Sequence, residues 1–244
     1  MCRYSGTTHA LAAGNPAHAW SSTDGLSWTD SGACTGDLPA LTNVEFIKVF
    51  AFNGATYALL PTGLYKNAAN DFVHWEFQDV LFNASSFATW TYIDVVHNGD
   101  LGAIIIAKAT PIAGVERNYI WTSNGGSPDW GITRNVIAAT DYPAGYAFNL
   151  KWQFGVNLGT GFCVYGVSEF AGTFPYVLKS TDEGNTWTMS AVDLGDPTNN
   201  AVPYNMISSG SRLAAVDNAR GDSANPLRFS TSTDGITFTA ISGI

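Results

Sequence analysis

Two carboxylates, Glu45 and Asp94, fall inside runs that read as buried strands. A pair of acids facing one cavity could act as acid and base across a bond. The corresponding runs later in the chain, 148–156 and 204–208, contain no third acid. The plainer reading is preferred: both carboxylates point into a wet channel and bind water or a cation, and no residue is assigned a catalytic role. His9, His18, His74 and His97 stand in four separate places with no pair at metal-ligand spacing, so no zinc site and no Ser-His-Asp triad is visible. No metal or cofactor is expected. Cys2, Cys34 and Cys163 are odd in number and lack the CxxC spacing, which predicts reduced thiols with at most one bridge. Arg220-Gly221-Asp222 spells a cell-adhesion tripeptide, but Gly with Asp is ordinary hairpin-loop chemistry, and Asn83-Ala84-Ser85 is a glycosylation sequon read as accidental because no secretion signal accompanies it.

More of the chain's chemistry lies in a repeated turn. Ser22-Thr23-Asp24-Gly25-Leu26-Ser27-Trp28, Ser180-Thr181-Asp182-Glu183-Gly184-Asn185-Thr186-Trp187 and Ser232-Thr233-Asp234-Gly235-Ile236-Thr237-Phe238 are clear copies. Weaker ones run from Thr122 to Trp130 and from Asn67 to Trp75. In each clear copy the Ser and Asp side chains can accept the N–H groups that a tight turn leaves unpaired, and Gly supplies a positive φ. The closing aromatic then starts the next strand and packs inward. Asp24, Asp182 and Asp234, with Trp28 and Trp187, are therefore expected to be structural. The closing aromatics stand at 28, 75, 130, 187 and 238, a period near fifty residues, which points to blades or solenoid coils.

Each turn must be held by strands, and the text around it supplies them. Residues 44–52, 55–60, 63–66 and 73–80 form one four-stranded meander, and the pattern returns at 92–134, 148–190 and 204–241. The first unit is cut short, with 2–5 as its innermost strand. Apolar runs such as Leu101–Ile106 fit inner strands covered on both faces. No sustained helical period occurs. The expected fold is all-β, a five-bladed propeller forming one domain over 1–244, with blades at about 1–35, 36–84, 85–140, 141–195 and 196–244.

Ser180 to Trp187 matches Ser-x-Asp-x-Gly-x-Thr-Trp at every fixed position. The pattern resembles the Asp-box, or bacterial neuraminidase repeat, of sialidase-like propellers. That resemblance implies that the box joins the third and fourth strands of a blade, on the face away from any catalytic site. A sialidase would further need three arginines on the substrate carboxylate, a Tyr and Glu nucleophile pair and an Asp acid. Here there are six arginines in all; Arg3 alone is near the expected first position, while Arg117, Arg212, Arg220 and Arg228 read as loop or outer-strand residues. Arabinanase-type propellers use inner-strand carboxylates, for which Glu45 and Asp94 are the available pair.

Only 13% of residues are charged, against roughly 25% in an average soluble domain, so the surface is polar without charge. A net charge of −9 disfavours binding through phosphate neutralisation, and nucleic acid is not an expected partner. No apolar run reaches the ~20 residues of a membrane span. No secretory signal peptide is read in the first twenty residues. Aromatics at Trp90, Tyr142, Tyr146, Phe170 and Phe174 fall on predicted loops opposite the boxes, where they suit sugar stacking or a protein interface. These observations lead to an expected non-enzymatic binding or assembly module, a component of a virion or surface appendage that contacts other protein subunits or forms a homo-oligomer. A glycan-binding lectin and a glycoside hydrolase are the alternatives.

Overall fold

The structure is a computed structural model, and it describes residues 2–12, 16–38, 48–67, 71–79, 84–98, 102–114, 116–124, 133–136, 150–159, 161–168, 174–194, 203–218 and 227–241. Among these the fold is all-β and contains no helix. The first sheet is an antiparallel meander of β1 (Cys2–Tyr4), β2 (Thr7–Ala12), β3 (His18–Ser22) and β4 (Thr29–Ala33). After β5 (Thr35–Gly36), the second comprises β6 (Lys48–Phe52), β7 (Ala55–Leu60), β8 (Gly63–Asn67) and β9 (His74–Asp79). The third comprises β10 (Phe87–Asn98), β11 (Gly102–Pro111), β12 (Arg117–Asn124) and β13 (Thr133–Val136). The fourth comprises β14 (Leu150–Leu158), β15 (Gly161–Ser168), β16 (Phe174–Ser180) and β17 (Thr188–Ala191). The fifth comprises β18 (Pro203–Ser209), β19 (Arg212–Asn218), β20 (Leu227–Ser232) and β21 (Thr239–Ala240). The edge strands β1, β6, β10, β14 and β18 lie beside one another in that order.

The sheets stack face to face, and β11 shows why its sequence is apolar without alternation. Ala103, Ile105, Ala107 and Ala109 pack towards Phe50, Tyr57 and Leu59 of the second sheet, whereas Ile104 and Ile106 pack towards Phe162, Val164 and Leu178 of the fourth. Both faces are dry. Burying side chains of this size contributes about 1.5–3 kcal/mol each before chain entropy is subtracted. Equivalent seams join the first sheet to the second through Ala19, Leu60, Tyr65 and Trp75, and the fourth to the fifth through Cys163, Tyr165, Met206 and Leu213.

Beyond side-chain packing, a backbone clamp links neighbouring sheets, and it was not legible in the sequence. Leaving β4, Cys34 N–H returns to Ala17 O (2.6 Å), after which Thr35 N–H donates to Val73 O and Asp37 N–H to Trp75 O, each at 2.8 Å. The two-residue β5 therefore runs parallel to β9 of the next sheet. The same device follows β17: Val192 N–H returns to Pro175 O (3.0 Å), Asp193 N–H donates to Ile236 O (2.9 Å), and Phe238 N–H donates to Asp193 O (2.7 Å). This corrects the expected strand over 236–241, which is shortened to Thr239–Ala240 because N–H groups ahead of it serve the clamp and the turn.

Candidate functional site

The carboxylates of the repeated turns are engaged by the turns themselves. Asp24 Oδ1 accepts from Leu26 N–H and Ser27 N–H, both at 2.8 Å, and from the Ser22 hydroxyl at 3.0 Å. Asp234 repeats this with Ile236, Thr237 and Ser232. Asp182 accepts Thr186 N–H at 2.8 Å and the Thr186 hydroxyl at 2.6 Å, because Glu183 adds one residue to this box and takes a φ of 60°. In the second sheet Asn67 stands for the serine and Asp71 for the aspartate: Phe72 N–H donates to Asn67 Oδ1, and Val73 and His74 N–H donate to Asp71 Oδ1. Phe72 occupies the glycine position at φ 62°, fully buried and stacked on His9 of the first sheet at 3.6 Å. The closing aromatics Trp75 and Phe238 are buried, while Trp187 and Trp28 are half-buried.

The inner strands hold a different kind of group. Counted back from each hairpin turn, the fifth cross-strand pair is Lys48↔Leu59, Asp94↔Ile106, Phe154↔Tyr165 and Asn205↔Val216 in the second to fifth sheets. Lys48, Asp94, Phe154 and Asn205 are thus equivalent positions on adjacent inner strands, about 13 Å along the strand from the turns. Directly before three of them the register slips, leaving Ile93, Gln153 and Tyr204 as the extra residues. Bulges of this kind re-aim side chains and gather beside functional sites. Lys48 Nζ donates to Asp94 Oδ1 and to Val95 O, both at 2.6 Å. Val95 N–H donates to Oδ1 at 2.8 Å, and Gly155 N–H of the fourth sheet donates to Oδ2 at 3.0 Å. Asp94 is 16% exposed and Lys48 40%, so the pair meets solvent at the junction of three sheets.

Asp94 therefore sits on an inner strand, as expected, but bound to a lysine that sequence reasoning passed over. Counting residues back from Asn53-Gly54 and its counterparts would have aligned the two. With three donors on it, the Asp94 carboxylate is an acceptor, which suits a base or a group facing developing positive charge. Glu45 lies outside the described residues, as do Tyr142, Tyr146, Phe170 and the Arg220–Asp222 tripeptide. Two loop assignments are corrected. Trp90 lies within β10 and donates its Nε1–H to Pro61 O at 3.0 Å, because β10 pairs with β11 as far as Phe87. Phe174 opens β16, paired with Ser168. The histidines stay apart: His18 meets Asp30 at 3.0 Å, His74 meets Thr35 at 3.1 Å, and His97 lies against Phe50. Cys34 and Cys163 are buried free thiols, and burial pushes both up to about 11.

No family profile and no curated protein matches the sequence. Solved structures do resemble the fold. A sialidase from Trypanosoma rangeli aligns over 97% of this chain and 42% of its own, with a TM-score of 0.53 and 11% identity. A polysaccharide lyase, an ulvan lyase bound to -[GlcA(1-4)Rha3S]-, aligns over 97% of this chain and 67% of its own, with a TM-score of 0.55 and 13% identity. An α-L-arabinanase from Cellvibrio cellulosa covers 97% and 92% at a TM-score of 0.43 and 12% identity. The chain spans about two-fifths of the sialidase's length. At such identities the likeness is one of fold, and the fold is the sialidase-like propeller. It corrects the expected non-enzymatic binding or assembly module of a virion or appendage: the sialidase and the ulvan lyase, two solved structures that share this arrangement over nearly the whole chain, are enzymes of carbohydrate chemistry.

Proposed function

We propose that the chain is a five-bladed propeller in a single domain over 1–244 and that it processes a glycan, with Asp94 as the reacting carboxylate on the inner strands. The observation that carries this is the Lys48–Asp94 pair, which stands at equivalent positions of neighbouring inner strands, with a bulge directly before Asp94, and reaches solvent there. Cleavage of a glycosidic bond needs one carboxyl group that gives a proton to the leaving oxygen and a second that assists on the opposite side of the ring. Asp94, surrounded by donors, fits the second role. Glu45, three residues ahead of Lys48 in the sequence, is assigned the first. Lys48 fixes the Asp94 rotamer and neutralises its charge between substrates.

A reducing-end assay over a panel of neutral and uronate-containing polysaccharides tests the reading. Turnover is expected from the native chain, with a loss of at least about a hundredfold in Asp94→Asn and in Glu45→Gln, the scale of general acid–base catalysis. Turnover that survives both substitutions, or none on any polymer of the panel, would remove Asp94 from the chemistry.

A further inference from the structure

On the rim that carries the boxes, the seam between the fourth and fifth sheets is open where the seam before it is closed. Gly102 opens β11 and Gly161 opens β15, so they are equivalent. Above Gly102 lies Glu183 Cβ, at 3.5 Å from the point a side chain there would reach. Glu183 is the extra residue of the fourth box, and the fifth box has no counterpart, since Gly235 follows Asp234 directly. The missing residue leaves a groove of about 210 Å³ lined by Leu158, Gly159, Gly161, Lys179, Thr181, Ser211 and Thr233.

The walls of this groove are fixed from several sides. Gly159 N–H donates to Gly210 O at 2.9 Å and Asn98 Nδ2 to Gly159 O at 2.6 Å, which ties the inner hairpins of three sheets together. Lys179 Nζ donates to Asp234 O at 2.7 Å, and an ammonium has two further protons to give. Asp182 and Asp234 hold their own turns through Oδ1, and the Asp234 carboxylate also feels the Lys179 charge, so an acid arriving in the groove shares the ammonium with it. One ammonium, three hydroxyls, bare glycine backbone and a single leucine make a small recess with mostly polar side chains, sized for one sugar ring rather than for a large apolar ligand.

We propose that this groove is a second glycan site that takes one sugar ring bearing a carboxylate, the acid placed on Lys179 and the ring hydroxyls on Thr181, Ser211 and Thr233. It is built from its own residues and stands whether or not Asp94 is catalytic. Glucuronate and glucose are titrated separately into the isotope-labelled chain and followed by amide chemical shifts. Glucuronate at millimolar concentration is expected to move the amides of Gly159, Gly161, Ser211 and Thr233, and glucose to move them at least several-fold less. Ser211→Trp, at an exposed turn position, fills the groove and should abolish the shifts at unchanged melting temperature, and Lys179→Met should remove the preference for the acid. Asp94→Asn should leave the titration intact, which separates this site from the inner-strand one. Absence of shifts, equal response to both sugars, or a response unchanged in Ser211→Trp would overturn the assignment.

Discussion

Asp24 and Asp182 are both held down to about 2, Asp24 mainly by the N–H groups of Ser27 and Leu26, Asp182 mainly by the Thr186 hydroxyl and then its N–H. Burial pushes Asp234 and Asp71 up, but their turn hydrogen bonds, with the charges of Lys179 beside the first and His74 beside the second, outweigh it and shift both the same way. A carboxyl lowered on folding from its unfolded value near ~3.9 contributes stability that is complete above that value and is lost as the pH falls through the folded one. Thermal melts should therefore show a midpoint insensitive to these groups above about pH 4 and falling between about 4 and 2. Asp182→Ala should lower the midpoint at neutral pH and flatten that acid limb. An unchanged limb would mean that the fourth box does not depend on its carboxylate. Trp75, fully buried with its Nε1–H on Phe72 O at 2.9 Å, closes the second sheet's turn. Trp75→Ala should cost about 3–5 kcal/mol in denaturant unfolding, the range for truncating a large buried aromatic. Phe72 keeps its strained φ because its ring is clamped between His9 and Trp75.

Boxes with the same sequence pattern meet different surroundings, and glycine substitutions expose the difference. Gly25 has φ 76° and open space where a Cβ would stand, whereas Gly184 has φ 89° and a Cβ there would collide with Thr122. Gly25→Ala should cost about 1–2 kcal/mol, the backbone term alone. Gly184→Ala should cost about 1–3 kcal/mol more, since overpacking is added to the same strain. Equal losses in equilibrium unfolding would show that the fourth box does not press on the third sheet. The meander of the second to fifth sheets was legible because turn chemistry and apolar runs are local signals: Ala55–Leu60 stands where the sequence placed it. The strand β5 was not legible, as two residues carry no period and its partner is Trp75, about forty positions away in sequence. The same holds for the candidate site. Asp94 was visible as an acid in an apolar run, but its pairing with Lys48 depends on the stacking of separate sheets, which no local pattern encodes. Trp90 was misplaced into a loop because the start of β10 mixes small and polar residues and loses the alternation that marks a strand, and Phe174 because Pro175 beside it reads as a strand boundary.

Across the molecule the five sheets form an ordered stack, and the fifth is covered on one side by the fourth. Met206, Leu213, Ala215 and Phe238 face that seam. On the other side of the same strands lie Ile207, Phe229 and Ile241, with Ile207 69% exposed. Met206 and Ile207 are adjacent in sequence, have similar apolar bulk and share one strand and one register. What differs is the face. Met206→Ala removes packed volume from a dry seam and should cost about 2–5 kcal/mol. Ile207→Ala removes atoms that already meet water and should stay within about 0.5 kcal/mol. Chemical denaturation of the two variants side by side decides it. A comparable loss at both positions would mean that the outer face of the fifth sheet is covered in solution, with the first sheet drawn in against it or another copy seated on it. Dilution separates those two cases, because only contact with a second copy weakens as the chain concentration falls.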